Sequence, residues 1–446
     1  MRLNIWYIPV NLLKPPAWCL AAVVMGIVPA RAQSLSASPS ATQILQQFNA
    51  VIFNGFTSTA DVEGRTVIGG SMSGGASFAI NPAAEAASAF AALTVYGNET
   101  SSNSFNLNLA ESVAIAGNNA GTLNLNSGGN IFVGGSNTGA LNSSGGTTAL
   151  SVLGSNSGSV NLNGSGSVYI GGSNNAAVSI NGGSAASDSI SINGNNNSSL
   201  TLNNGGTVKV NGNAGSGNLN GGSLTYTGSK GGWNLNNGAT SSKAASVGMT
   251  PVANPLPPFA STFAAPLTAL SAQLSALTST GSVQVNGNQV TLEAKPNASG
   301  VAVLALSTAV FASNDTVGIA LNGATSFIID LSVAGCSANC SYSLPGSLNF
   351  LNPTSYADNV LWNFASDVTS LAFTNEFGGS VLAPTAAVTN AGPIDGTLVA
   401  LSYNGNGELH DYPFAGALSV PEPSGLAILS VALLGTGLLR RRRRVR

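Results

Sequence analysis

Charge is what this chain has least of. Only 7% of its 446 residues are Asp, Glu, Lys or Arg, where an ordinary globular enzyme carries nearer ~25%. The sole histidine is His410, so a Ser-His-Asp triad or a His-based metal centre would have to be built around it. With Glu408 and Asp411 beside it, His410 reads instead as a polar residue of a closing turn. From Ser112 to Leu292 the one acidic residue is Asp188. That leaves the repeats without the carboxylate pair, about 5 to 9.5 Å apart, that cleaves glycosides, and without the acid in every turn of a Ca²⁺-binding β-roll. Between Gln33 and Leu439 the basic residues are Arg65, Lys209, Lys230, Lys243 and Lys295, against all 16 acids. Nucleic-acid binding needs Lys or Arg at phosphates and is excluded. No phosphate-cradling loop is present, and no cofactor or metal is expected. Asp61 and Glu63 fall short of the roughly six to eight oxygens Ca²⁺ takes, and Arg65 beside them suggests an ion pair.

Cysteine is also scarce. Cys19 falls near the start, leaving Cys336 and Cys340 in Cys-Ser-Ala-Asn-Cys. In an exported chain, that spacing predicts a small loop-closing disulfide, because no second Cys or His cluster completes a redox or metal site.

Export itself is read from the ends. Arg2 and Lys14 precede the apolar run Trp18 to Val28, and Ala30-Arg31-Ala32 offers small residues for signal peptidase, predicting cleavage before Gln33 and a leader over 1–32. An uncleaved N-terminal anchor is the alternative. At the other end, Val420-Pro421-Glu422-Pro423 is followed by an uncharged run to Leu439 and then by Arg440, Arg441, Arg442, Arg443 and Arg444. As a helix, Gly425 to Leu439 would span about 22 Å, short for a hydrocarbon core of about 30 Å but workable with local thinning. The arginines would stay cytoplasmic and leave the body outside. Residues 420–446 resemble the PEP-CTERM sorting signal. That resemblance implies recognition of Pro421, Glu422 and Pro423 by a membrane-embedded exosortase, transient membrane anchoring, and release to the cell surface or exopolysaccharide matrix.

What the body does have is glycine, 55 in all, together with asparagine and serine. A short β-type run ending in Gly recurs at Gly70, Gly97, Gly117, Gly135, Gly154, Gly172, Gly194, Gly212 and Gly228, settling to a spacing near 18 to 20. Apolar residues alternate with polar ones before each Gly (Val168-Tyr169-Ile170, Val208-Lys209-Val210) and again after it (Val160-Asn161-Leu162, Leu200-Thr201-Leu202). Period-two alternation turns Val, Leu and Ile inward, and one rung cannot bury its own apolar face. The fold class is therefore all-β, a parallel β-helix or solenoid; disorder is the alternative for so Gly- and Ser-rich a chain. Asn124, Asn142, Asn161, Ser179 and Thr201, spaced 18, 19, 18 and 22 apart, could align as an outward polar row.

After Gly238 the pattern changes. A Pro-rich crossing leads to Phe263, Leu267, Leu270, Leu274 and Leu277, which predicts one amphipathic helix over Pro266 to Thr278 packed on the stack's flank. Strand-like runs resume at Ser282 to Val285, Val301 to Leu306, Thr316 to Leu321, Phe327 to Val333 and Gly379 to Ala383.

Phe53-Asn54-Gly55-Phe56-Thr57-Ser58-Thr59-Ala60-Asp61-Val62-Glu63-Gly64-Arg65 resembles the opening of the choice-of-anchor A domain. Gly379-Ser380-Val381-Leu382-Ala383-Pro384, Gly396-Thr397-Leu398-Val399-Ala400 and Gly405-Asn406-Gly407-Glu408-Leu409-His410-Asp411-Tyr412 look like its closing rungs, so the resemblance covers 41–416. It implies a surface protein and no established chemistry. A helix beside a solenoid is also similar in architecture to bacterial ice-binding domains. The expected function is a non-enzymatic structural or adhesive protein contacting exopolysaccharide. An ice- or carbohydrate-binding module is the alternative, with an enzyme on the β-helix third.

Overall fold

The computed structural model describes residues 38–418, apart from 83–84, 109–110, 184–187, 251 and 365. The hydrophobic targeting segments expected at the two ends, with Pro421–Glu422–Pro423 and Arg440–Arg444, lie outside the described residues. Among the described residues no helix is long and apolar enough to cross a membrane.

Strands of mostly three to eight residues dominate, and they pair in parallel along a stack. In Val160–Leu162, Ser189–Ile192 and Thr207–Val210 the apolar side chains are buried and the polar ones between them half-exposed, as the two-residue period requires. Among the repeats up to Asn236 each rung sends one strand to a long sheet and, past a corner, another to a second sheet of nine strands, while later rungs send theirs to sheets of four and three strands. Val113–Ile115, Ile131–Val133, Thr147–Val152, Ser165–Ile170, Ser189–Ile192 and Thr207–Val210 succeed one another in the first. Thr122–Leu125, Leu141–Ser143, Val160–Leu162, Val178–Ile180 and Ser199–Leu202 do so in the second. Between the sheets runs a continuous apolar core, from Phe78 through Leu125, Val152 and Ile180 to Leu224.

Some corner positions admit no side chain. A Cβ built on Gly158 would sit 1.7 Å from the Gly139 carbonyl oxygen of the rung below, and one on Gly139 would sit 1.9 Å from that of Gly121. Glycine is therefore required at these positions by close backbone approach.

The stack does not follow chain order. The opening strand Ala50–Ile52 lies between Thr66–Ile68 and Leu398–Gly405, so the first and last parts of the body meet in mid-stack. From there the chain climbs through an upper arm to Thr240–Lys243. It then returns along the flank and builds a lower arm upward through Val301–Ser307, Ser326–Ser332, Val360–Phe364 and Ser380–Asn390 to Leu398–Gly405. The closing rungs therefore close nothing at an end. Leu398–Gly405 is long enough to pair with both Ala50–Ile52 and Phe56–Ser58, which seals the seam between the arms.

The return is made by the predicted helix, which spans Ala265–Ser275 and is preceded by a π-turn at Ala260–Ala264. Phe263, Leu267, Leu270 and Leu274 are buried against Val51, Val67, Val303, Ile328, Leu361, Leu382 and Val399 on the outer face of the long sheet. Fully burying each such side chain stabilises by about 1.5–3 kcal/mol. The helix stops short of Thr278 because Ala276 and Leu277 tighten into its last turn, and Thr280 and Gly281 then donate to the Val303 carbonyl. A second helix, Ala41–Gln47, was not expected. Ser40 and Gln43 form its capping box, and Ile44 and Leu45 bury beside Phe263.

Candidate functional site

The polar groups of the upper arm are organised as rows running up the stack. Asn124, Asn142, Asn161, Ser179 and Thr201 stand in register on the second sheet, and Asn106 and Asn218 extend the row below and above. All are half-exposed. Asn124 Nδ2 donates to Asn106 Oδ1 at 2.8 Å, Asn142 Nδ2 to Asn124 Oδ1 at 2.9 Å, and Asn161 Nδ2 to Asn142 Oδ1 at 3.1 Å. Each amide keeps hydrogen-bonding capacity for solvent or a ligand.

A second row, unanticipated from the sequence, is dry. Asn119, Asn137, Asn156 and Asn174 are fully buried at the corner, and Asn196 is 1% exposed. Each donates from Nδ2 to the carbonyl two residues on, and Asn119 through Asn174 donate also to Oδ1 of the asparagine above, at 2.7–2.8 Å. The row ends on the Ala214 carbonyl, 3.0 Å from Asn196 Nδ2. Below, Glu99 occupies the equivalent place and accepts backbone N–H groups from Ser101, Ala120 and Gly121. Burial raises its carboxyl above the ordinary range, against the pull of those donors. The signal was present in the sequence, since each of these asparagines lies two residues after a repeat glycine.

A third set faces out from the long sheet. Ser151, Tyr169, Ser191, Lys209 and Thr225 align across successive strands, with Ser167, Ser189, Thr207 and Ser223 two residues away in a parallel row. The same face is covered by the helix in the lower arm, whereas here these side chains are half-exposed, so the upper arm presents polar rows on two faces.

Chemistry at His410 is committed elsewhere. Its Nδ1 is 2.6 Å from buried Asp395 Oδ1 and its Nε2 is 3.1 Å from Glu408 Oε2. The hydrogen bond to Asp395, helped by Glu408 and opposed by burial, holds the imidazole up at about 9. It is an imidazolium clamped between carboxylates, with no nitrogen left for a nucleophile. Arg65 pairs not with Asp61 or Glu63 but with Glu85, at 3.1 Å, because those two carboxylates serve backbone donors: Ser77 N–H for Asp61 and Asp411 N–H for Glu63. Burial lifts Glu85 to about 8 even so. Among the described residues no group of three or more His, Cys, Asp or Glu is placed to hold a metal ion. Cys336 and Cys340 are bonded to each other, their Cα atoms 5.8 Å apart, and close the loop before Cys340–Ser343.

The model of the ice-binding-like adhesive domain family matches residues 41–161 and 165–411. No curated protein matches. Among solved structures, an ice-binding protein from an Antarctic bacterium of the Flavobacteriaceae is 15% identical, with 86% of this chain and all of that one covered, at a TM-score of 0.22. The tapirin C-terminal domain of Caldicellulosiruptor kristjanssonii is 13% identical over 82% of this chain and 94% of that one, also at 0.22. The C-terminal domain of a possible adhesin from Caldicellulosiruptor kronotskyensis is 10% identical over 89% and 98%, at 0.18.

Proposed function

We infer the function from one premise: the chain belongs to the ice-binding-like adhesive domain family. We propose that it is an exported surface-adhesion protein whose body, a β-solenoid, contacts exopolysaccharide through the polar rows of its upper arm. The observation that carries this reading is the in-register outer row from Asn106 to Asn218, a repeating set of amide and hydroxyl groups suited to the hydroxyls of a repeating polymer. On the same reading, signal peptidase cuts before Gln33. An exosortase acts at Pro421, Glu422 and Pro423, and Arg440 to Arg444 hold the apolar tail in the membrane until release.

The test has two parts. Intact mass and location in the native host are compared with a variant carrying P421A, E422A and P423A; loss of both ends and release only in the unaltered chain support the processing. Purified chain is then co-sedimented with exopolysaccharide. Binding that falls when Asn124, Asn142 and Asn161 are replaced by alanine supports the row as the contact, and no binding at saturating polymer refutes it.

The outer face of the long sheet favours a second reading, ice. Ser167, Ser189, Thr207 and Ser223 repeat at about 4.8 Å between strands, and a second row, interrupted by Tyr169 and Lys209, runs about 7 Å away. Thermal hysteresis of the purified chain decides it, and none at high concentration removes it.

A further inference from the structure

One outward column of the long sheet changes character as it rises. From Val51 and Val67 through Thr94 and Ala114 it is buried. Phe132 ends that stretch at 7% exposure, sharing a 300 Å³ groove with Pro255, Leu256 and Pro257 of the crossing. From Ser151 through Tyr169, Ser191 and Lys209 to Thr225 every member is half-exposed.

Two members of this open stretch do not belong to a surface of hydroxyls. Tyr169 has small neighbours on every side: Ser151 and Ser191 on the adjacent strands, Ser167 and Gly171 two residues away along the chain. Lys209 stands between Ser191 and Thr225, with Thr207 and Asn211 two residues away. Among the described residues no other ring packs on Tyr169 and no carboxylate pairs with Lys209. The charge around them has one sign. From Ser112 to Leu292 the one acid is Asp188, which is 3% exposed and accepts the Gly166 N–H at 2.9 Å, so the charges that this arm shows to solvent are Lys209, Lys230 and Lys243.

We propose that this column is a binding subsite for an acidic polysaccharide, a chain of hexuronate rings lying along the stack. The proposal rests on the polysaccharide reading and gives it a ligand class. Tyr169 and Lys209 are two strands apart, about 9.6 Å, the length of two linked pyranose rings. One sugar lies with its C–H face on the Tyr169 ring, the carboxylate of the second ring along meets Lys209, and the hydroxyls of Ser167, Ser189 and Thr207 bond those of the sugars. For a lattice of water these two side chains are interruptions, whereas for a charged sugar chain they supply a platform and the countercharge that tells it from a neutral one.

Titration of the purified chain with the uronate polymers polygalacturonate and alginate tests it, beside the same polymers with their carboxyl groups reduced to alcohols and beside polyglutamate, which carries the charge without the rings. The uronate polymers should bind tighter than either control. K209Q should bring their affinity down to that of the reduced forms, and K209R should keep it. Y169A should weaken uronate and reduced polymers alike, by about three- to tenfold, and leave polyglutamate as it was. Both side chains are half-exposed and point outward, so the thermal midpoint should not move. The proposal is overturned if polyglutamate binds as well as the uronates, if carboxyl reduction or K209Q changes nothing, or if Y169A leaves sugar binding intact. Failure to bind either uronate by a chain that still co-sediments with exopolysaccharide overturns this proposal and spares the broader reading; failure of both removes both.

Discussion

Replacing Asn156 with alanine separates the dry asparagine row from the wet one. The change removes a donor to the Gly158 carbonyl at 2.7 Å, a donor to Asn174 Oδ1 at 2.8 Å, and the acceptor of Asn137 Nδ2 at 2.7 Å. Asn137 Nδ2 keeps one N–H on Gly139 but loses the acceptor of the other, so three groups, that N–H, the Gly158 oxygen and Asn174 Oδ1, lose a partner in a place water does not reach. A buried group left without its partner costs about 1–3 kcal/mol, which puts the loss at about 3 kcal/mol or more. Asn161→Ala breaks one 3.1 Å bond on a half-exposed face, where water takes over, and should cost under about 1 kcal/mol. Urea unfolding followed by circular dichroism reads the difference, with unchanged slope and a shifted midpoint. Asn156→Asp adds a second handle. The side chain keeps its size but sets a carboxylate against two acceptors, so its folded pKa rises and stability is regained as pH falls. Equal midpoints for N156A and N161A, or an N156D midpoint that falls no more steeply than that of the unaltered chain between about pH 4 and 8, would refute the claim that this row is a water-free part of the framework.

Three other outcomes follow from the same geometry. Gly158→Ala should cost several kcal/mol or prevent folding, because its Cβ meets a backbone oxygen at 1.7 Å, whereas Gly232→Ala meets nothing within 4 Å and should change stability by under about 1 kcal/mol; soluble yield and thermal midpoint compare them. Phe263→Ala should cost about 3–5 kcal/mol, since its ring is fully buried between Phe48, Phe90 and Phe259, and limited proteolysis should then cut first near the returning helix. Stability should fall with rising pH: Glu85 is raised from 4.5 to about 8 by burial and His410 from 6.5 to about 9 chiefly by Asp395. Both stabilisations are complete below the unfolded values and are lost as pH climbs through the folded ones. The urea midpoint should be higher at pH 5 than at pH 9.5, and the reverse order would contradict these environments.

The sequence showed the repeat plainly because rung geometry leaves a local mark: Val208-Lys209-Val210 alternates as its strand does, and the glycines mark the corners. The helix was legible for the same reason, through the spacing of Leu267, Leu270 and Leu274. The order of the rungs was not, since nothing local says that Leu398–Gly405 pairs with Ala50–Ile52 across some 350 residues. The partner of Arg65 was misjudged on proximity in sequence, when the choice was made by the loop that carries Glu85 back over the opening strand. The outer asparagine row was visible as a spacing, and the buried one had the same spacing. It escaped notice because asparagine is ordinarily a surface residue, and only the stacking of identical corners supplies each amide with its partners.

The seam in mid-stack also sets how this protein can grow. Ser40 and Leu418 line the same 440 Å³ groove beside the returning helix, so the described body begins and ends at its waist and not at a tip. Lengthening the upper arm by one turn of about 20 residues would carry its tip about 4.8 Å further out while the waist and the helix seat stay as they are. Reach is thus a dial independent of where the ends of the body lie. Tandem duplication of a single rung in the upper arm could lengthen such a protein in small steps without disturbing the seam.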